Sequence, residues 1–231
     1  MIFTVCAGFS KNTGESDGLY KYIFFDLDGT LTDPGEGITK SVEYALGKYG
    51  ITVDDRSSLY SFIGPPLFES FMKYYGFSKE KAFEAVSYYR EYFAETGLFE
   101  NRPYEGIYDV LDRIKESGRI MVIATSKPEI YTERILERFS LSQYFDFTAG
   151  ATLDSSRVNK NDVIAHAMKI SGADNPKEIL MIGDRSHDAL GARDNGIDCA
   201  GVLYGYGDRD ELEAAGAKYI LEKPEDILMV V

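Results

Sequence analysis

Short apolar segments that alternate with longer amphipathic segments constrain the fold of this 231-residue chain more than any other feature. The apolar segments are typical of buried strands, and the segments between them carry apolar residues at helical spacing. The clearest strands are predicted at residues 20–25, 120–124, 179–182 and 199–202, and a short strand is predicted at residues 145–147. This alternation predicts an α/β fold, in which a parallel sheet with helices on both faces forms a Rossmann-like three-layer core.

The stretch between the first two of these strands is helical instead. Its pattern predicts helices at residues 38–49, 67–75 and 79–95, and the last of these is rich in Tyr and Phe. Aromatic residues at helical spacing usually pack in the core of a helix bundle. A rigid turn at Gly64-Pro65-Pro66 interrupts the helical pattern. We therefore expect an inserted α-helical cap domain.

The expected domain boundaries follow from this insert. The α/β core is predicted at residues 19–34 and 103–231, and the helical cap at residues 35–102. The segments Asp33-Pro34-Gly35 and Asn101-Arg102-Pro103 are predicted to be the hinges, because Pro and Gly interrupt regular structure. Residues 1–18 join a short apolar run to a polar, Gly-rich one, and a weakly ordered extension is expected there.

The charge and cysteine content narrow the range of partners and compartments. A formal net charge of −13 opposes binding to the phosphates of a nucleic-acid polymer. Cys6 and Cys199 lie far apart and form no CxxC pair, which favours a reduced, cytoplasmic protein. No apolar run approaches the ~20 residues of a membrane helix, so no membrane association is expected. We expect a monomer or weak homodimer that acts on a small molecule.

The segment Asp26-Leu27-Asp28-Gly29-Thr30-Leu31 follows the first predicted strand directly. Carboxylates two residues apart at the end of a strand point the same way. Like charges at this distance are costly unless a cation or a proton joins them. The pair therefore suits a nucleophile beside an acid/base group, with a metal ion holding the charge. A strand followed by an acidic turn without function is the alternative interpretation.

Two further strand ends carry polar side chains. Thr125 and Ser126 follow the strand at residues 120–124, and Asp184 follows the strand at residues 179–182, with Asp188 four residues on. In open α/β sheets, ligands bind beyond the carboxyl ends of the strands. The sequence therefore predicts that these groups converge with the first carboxylate pair on one rim.

These residues make the chain resemble the haloacid-dehalogenase-like superfamily of phosphohydrolases. Its four motifs occur in order: Asp26 to Thr30, Thr125, Lys160 at the head of a helix, and Gly183-Asp184 with Asp188. The helical insert resembles the cap of the phosphoglycolate-phosphatase branch. The segments at residues 62–67 and 183–188 resemble a bacterial subgroup described as 5'-nucleotidases or phosphoglycolate phosphatases.

The resemblance implies a catalytic role for four residues. Asp26 would attack phosphorus and form an aspartyl-phosphate, and Asp28 would protonate the leaving alcohol and later take a proton from water. Thr125 would donate to a phosphoryl oxygen, and Lys160 would pair with Asp26 and the phosphate. The phosphate-binding residues implied in this way are Leu27, Asp28, Thr125, Ser126 and Lys160.

The resemblance also implies a Mg²⁺ ion. Its ligands would be Asp26, the backbone carbonyl of Asp28, and Asp184, with Asp188 as a further ligand, directly or through water. Mg²⁺ prefers hard oxygen ligands and usually keeps several waters and a substrate phosphate, which suits this set.

The expected function is therefore a Mg²⁺-dependent phosphatase for a small phosphate monoester, either phosphoglycolate or a nucleoside 5'-monophosphate. Gly64, Pro65 and Pro66 are expected to set substrate specificity. A phosphomutase would share every core motif, and a non-catalytic module that binds phosphorylated metabolites is an alternative from another class. A phosphonatase would need a cap lysine, and a dehalogenase would need neither Mg²⁺ nor the acid at Asp28.

We expect three other residues near the motifs to have structural roles. Lys127 is interpreted with Pro128 as the start of the next helix, His187 as packing within its loop, and Arg185 as part of a salt bridge in the rim.

Overall fold

The computed structural model describes residues 20–154 and 156–231, so the extension predicted at residues 1–18 lies outside the described residues. The strands are β1 (Tyr22–Phe25), β2 (Thr32–Asp33), β3 (Arg102–Pro103), β4 (Ile120–Pro128), β5 (Phe147–Ala151), β6 (Ile179–Gly183), β7 (Asp198–Val202) and β8 (Tyr219–Leu221). Six of them form one parallel sheet in the order β5-β4-β1-β6-β7-β8. The predicted α/β core with a parallel sheet is confirmed.

Helices join the strands and cover both faces of the sheet. They are α1 (Gly35–Gly47), α2 (Leu67–Tyr75), α3 (Lys79–Phe93), α4 (Ile107–Glu116), α5 (Glu129–Arg138), α6 (Lys160–Ser171), α7 (Ser186–Asp194) and α8 (Arg209–Ala215). Short 3₁₀ helices lie at Arg56–Phe62, Gly97–Phe99, Ser142–Tyr144, Pro176–Glu178 and Pro224–Met229. Within the described ranges, no helix is long and apolar enough to cross a membrane.

Strand β1 shows why the core has three layers. Its four residues are all buried, and their side chains alternate between the two faces of the sheet. Ile23 and Phe25 belong to one hydrophobic cluster, and Tyr22 and Phe24 belong to another on the opposite face. A strand that is buried on both faces reads as a continuous apolar run, as this one does.

The insert between β1 and β4 contains α1, α2 and α3, and its chain enters and leaves through a small ribbon. Strands β2 and β3 pair antiparallel, and Arg102 forms an ion pair with Asp33 at 2.9 Å. The aromatic stripe of α3 packs inside the cap at Tyr89 and Phe93, which are buried. Phe83 of the same helix is instead 60% exposed, so core packing does not account for it.

The segment around residue 146 corrects one predicted strand. The sequence pattern places a strand at residues 145–147, whereas β5 spans Phe147–Ala151. Phe145 packs its ring against Phe25, with ring centroids 5.9 Å apart, and the Asp146 carboxylate accepts a hydrogen bond from the Met121 N–H at 3.0 Å. The Asp146 N–H also donates to the Met121 carbonyl of β4 at 2.9 Å, and the regular register with β4 starts at Phe147.

Candidate active site

A tight turn carries Asp26 out of β1. The Asp26 N–H donates to the Ile182 carbonyl at 2.9 Å, and the Leu27 carbonyl accepts from the Leu31 N–H at 2.9 Å. Gly29 adopts a φ of +84°, and a Cβ at this position would overlap the Asp184 carboxylate. Glycine adopts a positive φ without strain and carries no Cβ. It therefore fits between the turn after Asp26 and the Asp184 carboxylate.

Three carboxylates meet beneath this turn. Asp26, Asp184 and Asp188 are buried, and each offers an oxygen within 4.8 Å of those of the other two. Burial and the charges of Asp188 and Asp26 hold the pKa of Asp184 well above its ordinary value. Burial likewise raises the pKa of Asp188, to about 6, against the opposing charge of Lys160.

The donor set fits a metal ion. The Oδ1 atoms of Asp26 and Asp188 are buried, and both lie against the single ammonium of Lys160. Three buried carboxylates beside one cation are costly, and a hard divalent cation would balance their charge. Asp184 is held in place by the Tyr206 N–H at 2.8 Å, and Asp188 by the Arg185 N–H at 3.1 Å.

Lys160 begins α6 and offsets part of this negative charge. Its Nζ lies 2.9 Å from Asp26 Oδ1 and 2.7 Å from Asp188 Oδ1, and it donates to the Ala124 carbonyl at 3.0 Å. Burial alone would lower the pKa of Lys160, but the two carboxylates raise it above its ordinary value. Lys160 is therefore a fixed cation beside Asp26.

The remaining residues expected to bind phosphate lie at the ends of β1 and β4. Thr125 is buried, and its Oγ1 accepts from the Lys127 N–H at 3.2 Å, which leaves its hydroxyl proton free to donate elsewhere. Ser126 lines the same cavity as Asp26. The Leu27 side chain is fully buried, so this residue can offer a phosphate only its backbone.

Asp28 and Lys127 form a second ion pair, which the sequence interpretation missed. Lys127 is buried, its ammonium pairs with Asp28 Oδ2, and the Phe93 ring of the cap lies 4.8 Å from its Nζ. Lys127 therefore belongs to β4 and to the site. Helix α5 does begin directly after Lys127 and Pro128, but Lys127 has a role in the site that the helix-start interpretation left out. Burial raises the pKa of Asp28, and the charge of Lys127 opposes that shift.

A cavity of about 310 Å³ opens above these groups, between the core and the cap. Its floor includes Asp26, Asp28 and Thr125, and its cap wall is largely apolar. The expected specificity turn contributes Gly64, Pro65 and Pro66 to this wall. The other apolar and aromatic residues of the lining are Ile38, Phe62, Leu67, Phe68, Phe83, Val86, Tyr89, Phe93, Pro128, Tyr131, Ala151, Leu153 and Val158.

Arg185 joins the rim of the core to the cap. It forms an ion pair with Glu211 at 3.1 Å, as the salt-bridge interpretation predicts. Its guanidinium also donates to the Ile63 carbonyl in the cap, directly before the specificity turn. His187 lies outside the cavity lining, and burial followed by the charge of Arg185 lowers its pKa.

Comparisons with known proteins agree with this architecture. Residues 23–202 match the family model described as haloacid dehalogenase-like hydrolase. The chain is 47% identical over 195 residues to a 5'-nucleotidase of Pseudomonas aeruginosa, covering 84% of this chain and 88% of that protein. It is 34% identical over 210 residues to the pyrophosphatase PpaX of Bacillus velezensis, covering 90% of this chain and 94% of that protein.

Comparison with solved structures shows the same fold in another protein. The crystal structure of a predicted phosphatase from Clostridium acetobutylicum superposes with a TM-score of 0.88 at 49% sequence identity, over 90% of this chain and 96% of that one. Fold, motif order and relatives therefore agree on a phosphatase, and the chain belongs to the haloacid dehalogenase-like hydrolases.

Proposed function

We propose that this phosphatase is Mg²⁺-dependent, works through an aspartyl-phosphate on Asp26, and hydrolyses nucleoside 5'-monophosphates. The observation that carries the proposal is the cavity that joins Asp26 and Asp28 to a large apolar wall in the cap. The floor has the groups for phosphoryl transfer, and the wall has the surface for the leaving group.

In the first half of the reaction, an oxygen of Asp26 attacks phosphorus and the bond from phosphorus to the leaving oxygen breaks. Asp28 gives its proton to that oxygen, and its burial favours the protonated form that this step requires. Lys160 and the Thr125 hydroxyl stabilise charge on the phosphoryl oxygens.

In the second half, water attacks phosphorus and the aspartyl-phosphate bond breaks. Asp28, now ionised, takes the proton of that water. Lys127 pairs with the Asp28 carboxylate, so the ionised form is tolerated in a buried position. The leaving of phosphate then restores Asp26.

The metal ion would be held by Asp26, Asp184 and Asp188, together with the backbone carbonyl of Asp28. When bound, Mg²⁺ supplies positive charge to the phosphoryl group and to the carboxylates around it. Among the residues that the structure describes, Lys160 is the cation paired with Asp26 and Asp188, and its single charge does not balance three carboxylates.

The cavity favours a nucleotide over phosphoglycolate. A space of about 310 Å³ lies within the range typical of sites for drug-sized ligands. A nucleobase would bury its ring against the Phe and Pro side chains of the cap wall, whereas phosphoglycolate has no ring to bury there. The name of the Pseudomonas aeruginosa relative points the same way.

Substrate profiling tests this proposal. The purified protein is assayed for phosphate release from p-nitrophenyl phosphate, nucleoside 5'-monophosphates, phosphoglycolate and sugar phosphates, with Mg²⁺ and with excess EDTA. We expect activity only with the metal, and a kcat/KM for nucleotides at least about tenfold above that for phosphoglycolate. The Asp26→Asn protein, prepared identically, controls for contaminating phosphatases.

Each part of the proposal has its own contrary result. Full activity in EDTA contradicts the metal requirement, and a preference for phosphoglycolate contradicts the nucleotide assignment. Transfer of the phosphoryl group to a sugar without release of phosphate indicates a phosphomutase. An inert protein that still binds nucleotides indicates a non-catalytic module.

A further inference from the structure

Arg90 is a cationic side chain in the cavity lining that the phosphatase chemistry does not use. It lies on α3, is half-buried, and lines the same cavity as Asp26 and Asp28. The other cation of that lining, Lys127, is paired with Asp28. Within residues 20–154 and 156–231, the Arg90 guanidinium makes no ion pair and no side-chain hydrogen bond. Arg90 therefore lines the cavity without a partner for its guanidinium among the described residues.

The unpaired guanidinium of Arg90 restricts which chemical groups of a ligand can bind next to it. Arg carries five N–H donors in a planar fork and accepts no hydrogen bonds. It therefore pairs with acceptors, and its fork suits two acceptors side by side. A ligand that directs an amino group at Arg90 would bring donor against donor.

The cavity that Arg90 lines also has surfaces that suit a planar ring. Phe68 and Phe83 lie beside each other in the cap wall, with ring centroids 4.3 Å apart. Phe83 and Leu153 line the mouth of the cavity although 60% and 47% of their respective surfaces are exposed. Exposed apolar residues around a cavity mark a ligand-binding groove. An apolar wall with a donor fork is the arrangement expected for a base with carbonyl oxygens.

We propose that Arg90 determines which nucleobase this phosphatase accepts, and that it selects bases with a carbonyl oxygen over those with an amino group at the corresponding position. This inference rests on the nucleotide assignment in the proposed function. Guanine and hypoxanthine present a carbonyl and a ring nitrogen as adjacent acceptors, whereas adenine replaces the carbonyl with an amino donor. Uracil likewise presents a carbonyl where cytosine has an amino donor, but it has no adjacent ring acceptor.

Two pairs of substrates test this selection, and the two members of each pair have nearly the same size. IMP and AMP differ at one ring position, as do UMP and CMP, so the apolar wall contributes similarly within each pair. We expect the wild-type kcat/KM to favour IMP over AMP, and UMP over CMP, by about tenfold or more. In Arg90→Met we expect both ratios to approach one through loss of activity on IMP and UMP.

Two controls separate this selection from a general defect. Hydrolysis of phenyl phosphate should stay within about twofold of wild type in Arg90→Met, because its ring carries no acceptor for the fork. Arg138→Met removes an exposed Arg at the end of α5, outside the cavity, and should leave both ratios unchanged. If Arg90→Met does not fold, the wild-type ratios and the Arg90→Lys variant, which keeps the charge but loses the fork, decide the question.

The contrary results differ for this inference and for the proposed function. Equal wild-type kcat/KM values within both pairs, or an equal loss on all four nucleotides in Arg90→Met, would overturn the role of Arg90. A preference for AMP and CMP would overturn it as well. Failure to hydrolyse any nucleotide while p-nitrophenyl phosphate is hydrolysed would overturn the nucleotide assignment and this inference with it.

Discussion

The two carboxylates of the first motif, two residues apart, lie in different electrostatic surroundings. Asp26 faces Lys160 and the carboxylates of Asp184 and Asp188, whereas Asp28 faces Lys127. Pairs of titratable groups in unlike surroundings are suited to separate acid, base and nucleophile roles. The division of labour proposed for Asp26 and Asp28 therefore follows from their different partners.

Replacing Lys127 tests the importance of its pair with Asp28. In Lys127→Met the buried Asp28 loses its counter-ion, so its proton is retained and it cannot take the proton of the attacking water. We expect kcat for p-nitrophenyl phosphate to fall by about tenfold or more, because acid–base catalysis typically contributes at least that much. Lys115→Met, which removes an exposed Lys on α4, is the matched control. Unchanged kcat in Lys127→Met would contradict this role.

The sequence predicts membership of the site well for residues at the ends of apolar strands. It predicts membership poorly for a residue such as Lys127, which is recognised only by its contact with Asp28. Asp26 and Asp184 follow apolar runs, so their meeting at one edge could be predicted. Lys127 could not be recognised as part of the site while β4 was expected to end at residue 124. One signal was available: in an extended strand, Thr125 and Lys127 point to the same face.

At the scale of elements, the two segments expected to be hinges between core and cap pair with each other. The segments around Asp33 and Arg102 pair as β2 and β3, and the Tyr206 hydroxyl donates to the Asp33 carboxylate. Two-residue strands carry no periodic pattern, so the sequence could not predict this ribbon. The long helices of the insert were predictable because their apolar spacing extends over several turns. The 3₁₀ helix at Arg56–Phe62 has no such repeat.

The stability that Asp33 contributes through the β2–β3 ribbon should depend on pH. Burial opposes ionisation of Asp33, but hydrogen bonds from Tyr206 and Arg102 prevail and lower its pKa. A folded-state pKa below the unfolded value contributes stability above about pH 4, and this is lost as the pH falls through the folded pKa. We expect Asp33→Asn to be less stable than wild type at pH 7 in urea denaturation, with the difference narrowing below about pH 4. A difference independent of pH would contradict the ion-pair account.

At the scale of the whole molecule, the contact between core and cap encloses the site. Arg185 of the core donates to the Ile63 carbonyl of the cap, and the turn that follows lines the cavity. Gly64 has a φ of +101°, and a Cβ there would lie 3.0 Å from Arg185 Cγ. The turn therefore places a rigid cap surface against the core. The sequence predicted the cap and its turn, but not the residue of the core that the turn meets.

The rigid turn should affect substrate choice more than chemistry. In the double variant Pro65→Ala, Pro66→Ala, Gly64 is kept because its positive φ disfavours any other residue. We expect the ranking of nucleotides, measured as kcat/KM, to change by about tenfold or more, with little change for p-nitrophenyl phosphate. A parallel loss on every substrate would show that the turn is structural and that specificity lies elsewhere in the cap.

The central claim is that Asp26 is the nucleophile, and the turnover of Asp26→Asn tests it most directly. An amide removes both the nucleophilic charge and one metal ligand. We predict that kcat for p-nitrophenyl phosphate with Mg²⁺ falls at least ~10³-fold, equivalent to about 4 kcal/mol of barrier, while the thermal unfolding transition of the metal-free protein is retained. The measurement uses freshly prepared protein whose mass excludes deamidation back to Asp. Retention of more than about a tenth of wild-type kcat would contradict the account.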